Sequence, residues 1–219
     1  MAYTKHSLEI YSRIASLYER YHGKGFIEFR NAPDIKGTQY LEPIIEAIET
    51  KHVLRIAYLP FYEDKPYYNE VHPYILKEHG FRWYLVGWNA FKEQIRTYAL
   101  DRIRDLGQTE GTAYREPPFE PKEYFRYTVG VIAPSGAPPL VKLAVQKTQA
   151  QYLITQPWHE SQNIHSEEEA YIVFSFRVHP TYEFRALILA LGRDAEVLEP
   201  ATLRRDIAAE LAAMSEKYG

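Results

Sequence analysis

From Leu54 to Leu106 the apolar residues of this chain recur at every second position, in four runs that read "LRIAYL", "VHPYILK", "RWYLVGW" and "QIRTYAL". A period of two sends alternate side chains to opposite faces of an extended strand, so this stretch cannot be helical. The turn "EHG" at 78–80 and the loop "NAFKE" at 89–93 are short enough for hairpins. The last three runs therefore form an antiparallel meander with one wet and one packed face. A small, strongly bent sheet or barrel is its natural closure. Pro73 has no N–H to give to a ladder, which places it at an edge or a strand end.

Helical periodicity flanks this region. Leu8, Tyr11, Ile14, Leu17 and Tyr21 are spaced by three and four, which predicts a helix over about 5–22 stopped by Gly23 and Gly25. "GFIEFRNAPDIKG" reads as a short strand and a turn, and Leu41, Ile44, Ile45 and Ile48 mark a second helix that opens near Thr38. The segment 107–139 is rich in proline and reads as an ordered linker. Beyond it come a strand "LVKLAVQK", a helix "TQAQYLIT", a strand "YIVFSFRV", a helix "TYEFRALILALG" closed by Gly192, a strand "AEVLEP" and a last helix with Leu203, Ile207, Leu211 and Met214 inward. That order predicts a small α+β sandwich of ferredoxin-like type. The expected division is a helical segment over 1–50, a β domain over 51–115, a linker over 116–139 and an α+β domain over 140–219.

Composition narrows the chemistry. The 219 residues include no cysteine, which removes disulfides, thiolate nucleophiles and Cys-based zinc sites together. A net charge of −3 argues against this chain alone coating duplex DNA. No signal-peptide pattern and no apolar run of membrane-spanning length occurs, so a cytoplasmic protein is expected, with no membrane partner. The 19 Tyr, 10 Phe and 3 Trp are an unusual supply of flat amphipathic side chains, suited to ligand stacking as well as to cores.

"FRWYLVGWN", with "EVHPYIL" before it and "RTYALDRIRDL" after it, resembles the WYL domain of bacterial transcription regulators. "YLITQPWHESQ", "YIVFSFRVHPTYEFRALILALG" and "VLEPATLRRDI" are similar to the C-terminal extension that follows such domains. The resemblance implies an Sm-like, SH3-type β-barrel that senses a nucleotide-like or single-stranded nucleic acid effector through basic and aromatic residues. It further implies a ferredoxin-like extension that makes a homodimer, and no cofactor. In that family duplex DNA is bound by a winged helix-turn-helix ahead of the barrel. None fits into the first 40 residues here, so the expectation is the sensing and dimerising part alone. Ala99 stands where many relatives carry a basic or polar residue.

The residues allow a concrete site. Counted by twos, Arg96, Tyr98, Leu100 and Arg102 share one face, and Arg82, Tyr84, Val86 and Trp88 share a face of the neighbouring run. Should the two faces coincide, a guanidinium cluster adjoins phenol rings: arginine forks suit phosphate, and an aromatic face stacks on a base. His72 adds a polar contact and Tyr58 completes the wall, whereas Trp83 and Leu85 point to the core. In the second half His159, Ser161 and Gln162 form a polar loop directed at the ligand or at a dimer partner. No nucleophile elbow accompanies Ser161, and His159 and His165 lack a third ligand, so neither hydrolase nor metal chemistry is expected. The alternative, an enzyme that processes nucleotides or phosphates with the same arginines, has only Asp101 and Asp105 among these strands to hold a metal or act as base.

Overall fold

The structure is a computed structural model that describes residues 2–21 and 35–219. It divides into two units, Met1–Ile35 and Lys36–Gly219. In the first, helix α1 spans Ala2–Tyr21, and its Ile14, Leu17 and Tyr18 are exposed. The strand and turn expected in "GFIEFRNAPDIKG" lie almost wholly outside the described residues.

The second unit opens with a 3-10 turn, Thr38–Tyr40, and helix α2, Leu41–Glu49, which buries Ile44 and Ala47. Five antiparallel strands follow: β1 (Leu54–Tyr58), β2 (Tyr67–His79), β3 (Arg82–Asn89), β4 (Gln94–Ala99) and β5 (Ile103–Gln108). They are ordered β4-β3-β2-β1-β5. The ladder leaves β4 and β5 as its edges, so by strand pairing the expected barrel is an open sheet. The cause lies in a second 3-10 turn, Leu100–Arg102, which breaks the last alternating run in two and carries the chain from β4 across to β1. Leu59 N–H donates to Arg102 C=O and ties that turn to the end of β1.

Cross-strand partners share a face, so the register sorts every side chain. Leu54, Ile56 and Tyr58 of β1 face with Val71, Asn69 and Tyr67 of β2; Val71 faces with Asn89 of β3; Leu85 and Gly87 face with Tyr98 and Arg96 of β4. This is the packed face, where Leu54, Ile56, Val71, Leu85 and Leu100 are all buried beneath α2. Each such aliphatic side chain contributes about 1.5–3 kcal/mol. Pro73 lies inside β2 but beyond Val71, the last residue that β1 pairs, so no β1 partner lacks its N–H. A bulge between Pro73 and Ile75 bends the strand there. Gly87 is opposite: a Cβ on it would stand 2.5 Å from the His72 carbonyl oxygen, so the close approach of β2 and β3 requires glycine.

The remaining elements are β6 (Leu140–Gln146), α3 (Lys147–Thr155), β7 (Asn163–Glu167), β8 (Tyr171–Arg177), α4 (Tyr182–Ala190), β9 (Ala195–Glu199) and α5 (Ala201–Tyr218). The four strands form an all-antiparallel sheet ordered β7-β8-β6-β9. Val141, Leu143, Phe174, Phe176, Phe184 and Leu203 build its core with the helices. The architecture is thus α+β with two antiparallel sheets. Strand β7 is absent from the sequence reading, because "NIHSE" has neither apolar alternation nor a buried residue. In α5 only Leu203 and Ile207 of the expected stripe are buried; Leu211 and Met214 are exposed.

Candidate functional site

The packed face does not end with its aliphatic residues. At the end of the sheet formed by the β1–β2 and β3–β4 loops it continues into a cavity of about 550 Å³. Tyr58, Tyr67 and Tyr98 supply rings, Asn69 and Asn89 supply amides, and Lys92, Arg96 and Arg102 supply cations. Glu63 is the one acid among the lining residues. The volume is in the range of sites that hold drug-sized or nucleotide-sized molecules.

The walls are aromatic and edge-on. The Tyr58 ring lies 5.1 Å from that of Tyr98 at 85°, and 6.2 Å from that of Tyr67 at 72°. The Tyr58 hydroxyl accepts from Ala99 N–H at 3.3 Å. Burial pushes the Tyr58 phenol up, while the Ala99 N–H and the Arg102 charge pull it down; burial pushes Tyr98 to about 12. Both are therefore neutral hydroxyls at physiological pH.

The floor is a closed amide relay. Lys92 N–H donates to Asn89 Oδ1 at 2.7 Å, and Asn89 Nδ2 donates to Asn69 Oδ1 at 2.6 Å and to the Tyr98 hydroxyl at 2.7 Å. Asn69, Asn89 and Tyr98 are 2%, 1% and 3% exposed. Asn69 Nδ2 is buried and has no partner among the described residues.

Arg102 arrives by an unexpected route. Strand periodicity stops at Ala99, so the turn Leu100–Arg102 rather than a shared strand face delivers it to the cavity. Its guanidinium covers the Phe61 ring at 3.9 Å, its Nε is buried without a hydrogen-bond partner among the described residues, and Asp101 is 4.0 Å away.

Of the seven residues expected around the ligand, four line this cavity: Tyr58, Arg96, Tyr98 and Arg102. His72, Arg82 and Tyr84 do not. The two faces expected to coincide are opposite, because the register aligns Tyr98 with Leu85 and sends Tyr84 and Trp88 to the reverse side, with His72 opposite Trp88. There His72 Nδ1 accepts from Arg115 N–H at 2.9 Å, the Arg115 guanidinium covers Trp88 at 3.7 Å, and Arg82 Nε stands 3.7 Å from Asp101. The segment after β5 covers that face.

In the polar loop of the second sheet, Ser161 and Gln162 bond within their own lobe. Ser161 Oγ lies 2.8 Å from His159 Nδ1 and accepts from Arg177 N–H at 2.9 Å; Gln162 Nε2 donates to Leu153 C=O at 2.7 Å, and its Oε1 accepts from Trp158 N–H. None of the three lines the cavity of the first sheet.

The sequence reading missed Asn69, Asn89, Tyr67 and Lys92. Asn69 and Asn89 had one available signal: both sit where an alternating strand should carry an apolar inward residue. Among the described residues no group of three or more His, Asp or Glu is placed to hold a metal, and no helix is long and apolar enough to cross a membrane.

An open five-stranded sheet with a cationic, tyrosine-walled cavity is thus followed by a four-stranded α+β lobe. The WYL domain matches residues 39–107 and the WCX domain residues 137–215, so the chain carries these two domains in succession. Proteasome accessory factor B/C (PafBC) of Arthrobacter aurescens is similar at 21% identity, over 87% of this chain and 28% of that one, with a TM-score of 0.35. A CRISPR Cas-related protein is similar at 14% identity, over 83% of this chain and 52% of that one, with a TM-score of 0.52. The chain thus spans about a quarter and about half of the lengths of these two structures. No curated protein matches it.

Proposed function

We propose that this chain is the ligand-sensing and dimerisation part of a transcriptional regulator, and that its effector is a nucleotide-like or single-stranded nucleic acid molecule bound in the cavity of the first sheet. In this reading that sheet is the open form of an Sm-like, SH3-type barrel over 51–115, and 140–219 is a ferredoxin-like domain joined by the linker 116–139. The matches to the WYL and WCX domains support the regulatory role. The observation that carries the ligand class is the convergence of Arg96, Arg102 and Lys92 on a hollow lined by four tyrosines, Tyr58, Tyr62, Tyr67 and Tyr98. Guanidinium forks take phosphate oxygens and phenol faces take bases.

The rim favours a strand over a mononucleotide. Phe61, Tyr62 and Phe91, on the two loops that frame the cavity, are 71%, 81% and 66% exposed. Aromatic rings held in solvent at the mouth of a cationic site offer stacking surface to further bases. Binding needs no chemistry here; an effector acts by favouring one arrangement of two protomers over another. The homodimer is proposed through the second domain, where Leu211 and Met214 prolong the buried stripe of α5 into solvent.

Fluorescence anisotropy of short labelled single strands tests the reading. Saturable binding that weakens with salt and is lost in the double variant Arg96→Ala/Arg102→Ala is expected. Binding that the double variant leaves intact sinks the assignment of the cavity.

A further inference from the structure

The amide relay at the cavity floor has a direction, and the direction is fixed by backbone. Asn89 Oδ1 faces the N–H of Lys92, a group that can only donate. Asn89 Nδ2 must then face the other way, and its two hydrogens go to Asn69 Oδ1 and the Tyr98 hydroxyl oxygen. Asn69, whose oxygen already accepts from Asn89, is left with both hydrogens of Nδ2 and no acceptor for them among the described residues. Tyr98, having accepted, still holds its own O–H, and burial keeps that proton in place at neutral pH. The one atom of this relay with no partner at all among the described residues is therefore a donor.

Position in the cavity decides what meets these donors. Asn69 and Tyr98 are neutral and almost fully buried, whereas Lys92 and Arg96 are exposed. A phosphate carries its charge to the exposed cations, because burying it against neutral amides forfeits its hydration. The base then enters with the edge farthest from its sugar foremost. That edge bears the 4-substituent of a pyrimidine or the 6-substituent of a purine. In thymine, uracil, guanine and hypoxanthine the substituent is a keto oxygen; in cytosine and adenine it is an amino group.

We propose that the floor of this cavity selects keto over amino nucleobases, with Asn69 Nδ2 as the specificity-determining donor and Asn89 as the residue that orients it. The inference rests on the proposed binding of nucleotide-like effectors. A keto oxygen satisfies the orphaned amide, whereas an amino group sets donor against donor and leaves both buried groups without a partner.

The test compares hexamers of thymidylate with deoxycytidylate, and of deoxyinosinate with deoxyadenylate, by anisotropy on the full chain. Within each pair the keto strand is expected to bind about tenfold more tightly, the effect of one buried donor left unmade. Asn69→Asp keeps an oxygen toward Asn89 and turns the unpartnered donor into an acceptor, so the ratio is expected to vanish or reverse; Asn69→Ala, which adds no charge, is expected to abolish it. A variant that merely loosens the fold weakens both members of a pair alike and leaves the ratio standing. Equal affinity within both pairs, with salt-sensitive binding retained, overturns the inference and spares the proposed function. A preference untouched by either variant removes Asn69 from the role. Failure of every hexamer to bind removes the functional reading and the inference with it.

Discussion

Leu85 on β3 stands directly opposite Tyr98 on β4. Because partners share a face, this one pairing puts Arg96, two residues from Tyr98, on the cavity side and sends Arg82 and Tyr84 to the other. Arginines that look equivalent in the sequence are thereby separated. Arg96→Ala and Arg102→Ala are each expected to weaken the binding of short single strands and to reduce the slope of log affinity against log salt by about 0.7, one phosphate contact of a single strand. Arg82→Ala, at a site paired with Asp101, is expected to change neither quantity. Titrations of the three variants at several salt concentrations check this. An Arg82 effect as large as that of Arg96 would place the ligand on the reverse face.

The amide relay makes a separate prediction about stability. Asn89→Ala leaves the Lys92 N–H, Asn69 Oδ1 and the Tyr98 hydroxyl without their shared partner in a buried site. A loss of about 3 kcal/mol is expected, since each stranded polar group costs on the order of 1 kcal/mol or more. Tyr98→Phe removes only one acceptor and is expected to cost about 1 kcal/mol. Denaturant melts of the two variants give the comparison. Near-equal losses would mean that the relay is not a unit.

How much of this was legible beforehand follows from what each signal depends on. Alternation over 54–106 is local, so the strands of the first sheet and the pairing of 82–89 with 94–99 follow from it. Register is not local: nothing in "FRWYLVGW" says whether Leu85 or Tyr84 meets Tyr98, and a slip of one residue exchanges the faces. The expected coincidence of the two faces fails there, which puts His72, Arg82 and Tyr84 on the side away from the cavity. Counting by twos reaches Arg102 through a segment that is not a strand; the Leu100–Arg102 turn, not a shared strand face, brings it to the cavity. Strand β7 was invisible because an exposed edge strand requires no apolar residue, and its neighbour β8 supplies the pairing. Asn69 and Asn89 were passed over because a polar residue on an inward position reads as a break in the pattern until its partner, far along the chain, is known.

On the reverse face the behaviour with pH is set by His72. The ring is 5% exposed, and its Nδ1 accepts from Arg115 N–H, which requires the unprotonated form. Burial pushes its pKa below the usual 6.5, the Arg115 charge pushes the same way, and Glu70 opposes. A folded-state pKa below the unfolded one means that the unfolded chain binds more protons, so stability rises with pH. The contribution is fully present above about 6.5 and is lost as pH falls through the folded-state value. Melting temperature is expected to drop on acidification below pH 6.5, and the drop is expected to be smaller in His72→Asn, whose amide oxygen still accepts from Arg115. His159, which burial shifts in the same direction, is common to both proteins and cancels in the difference. Identical acid slopes would show that His72 does not carry the effect.

Gly37 links the start of the second unit to the cavity. It holds φ 88, in the left-handed region, at the entrance to the 3-10 turn before α2. A Cβ placed on it would stand 2.4 Å from the Leu100 carbonyl carbon and 2.6 Å from its oxygen. Those atoms belong to the Leu100–Arg102 turn, and backbone cannot swing aside as a side chain does. Gly37→Ala therefore carries two costs, about 1 kcal/mol for a left-handed non-glycine residue and more for displacing the turn. The displaced segment bears Arg102, whose guanidinium lies over Phe61 at the cavity. The variant is expected to lose about 2–3 kcal/mol of stability, a close-contact backbone cost, and also to bind single strands more weakly under conditions where it remains folded. Gly80→Ala is the matched control: it too has a positive φ, 60°, but a Cβ there meets nothing within 4 Å. It is expected to show the left-handed penalty alone and unaltered binding. Equal effects of the two substitutions on affinity would mean that the contact between Gly37 and Leu100 does not hold Arg102 in place.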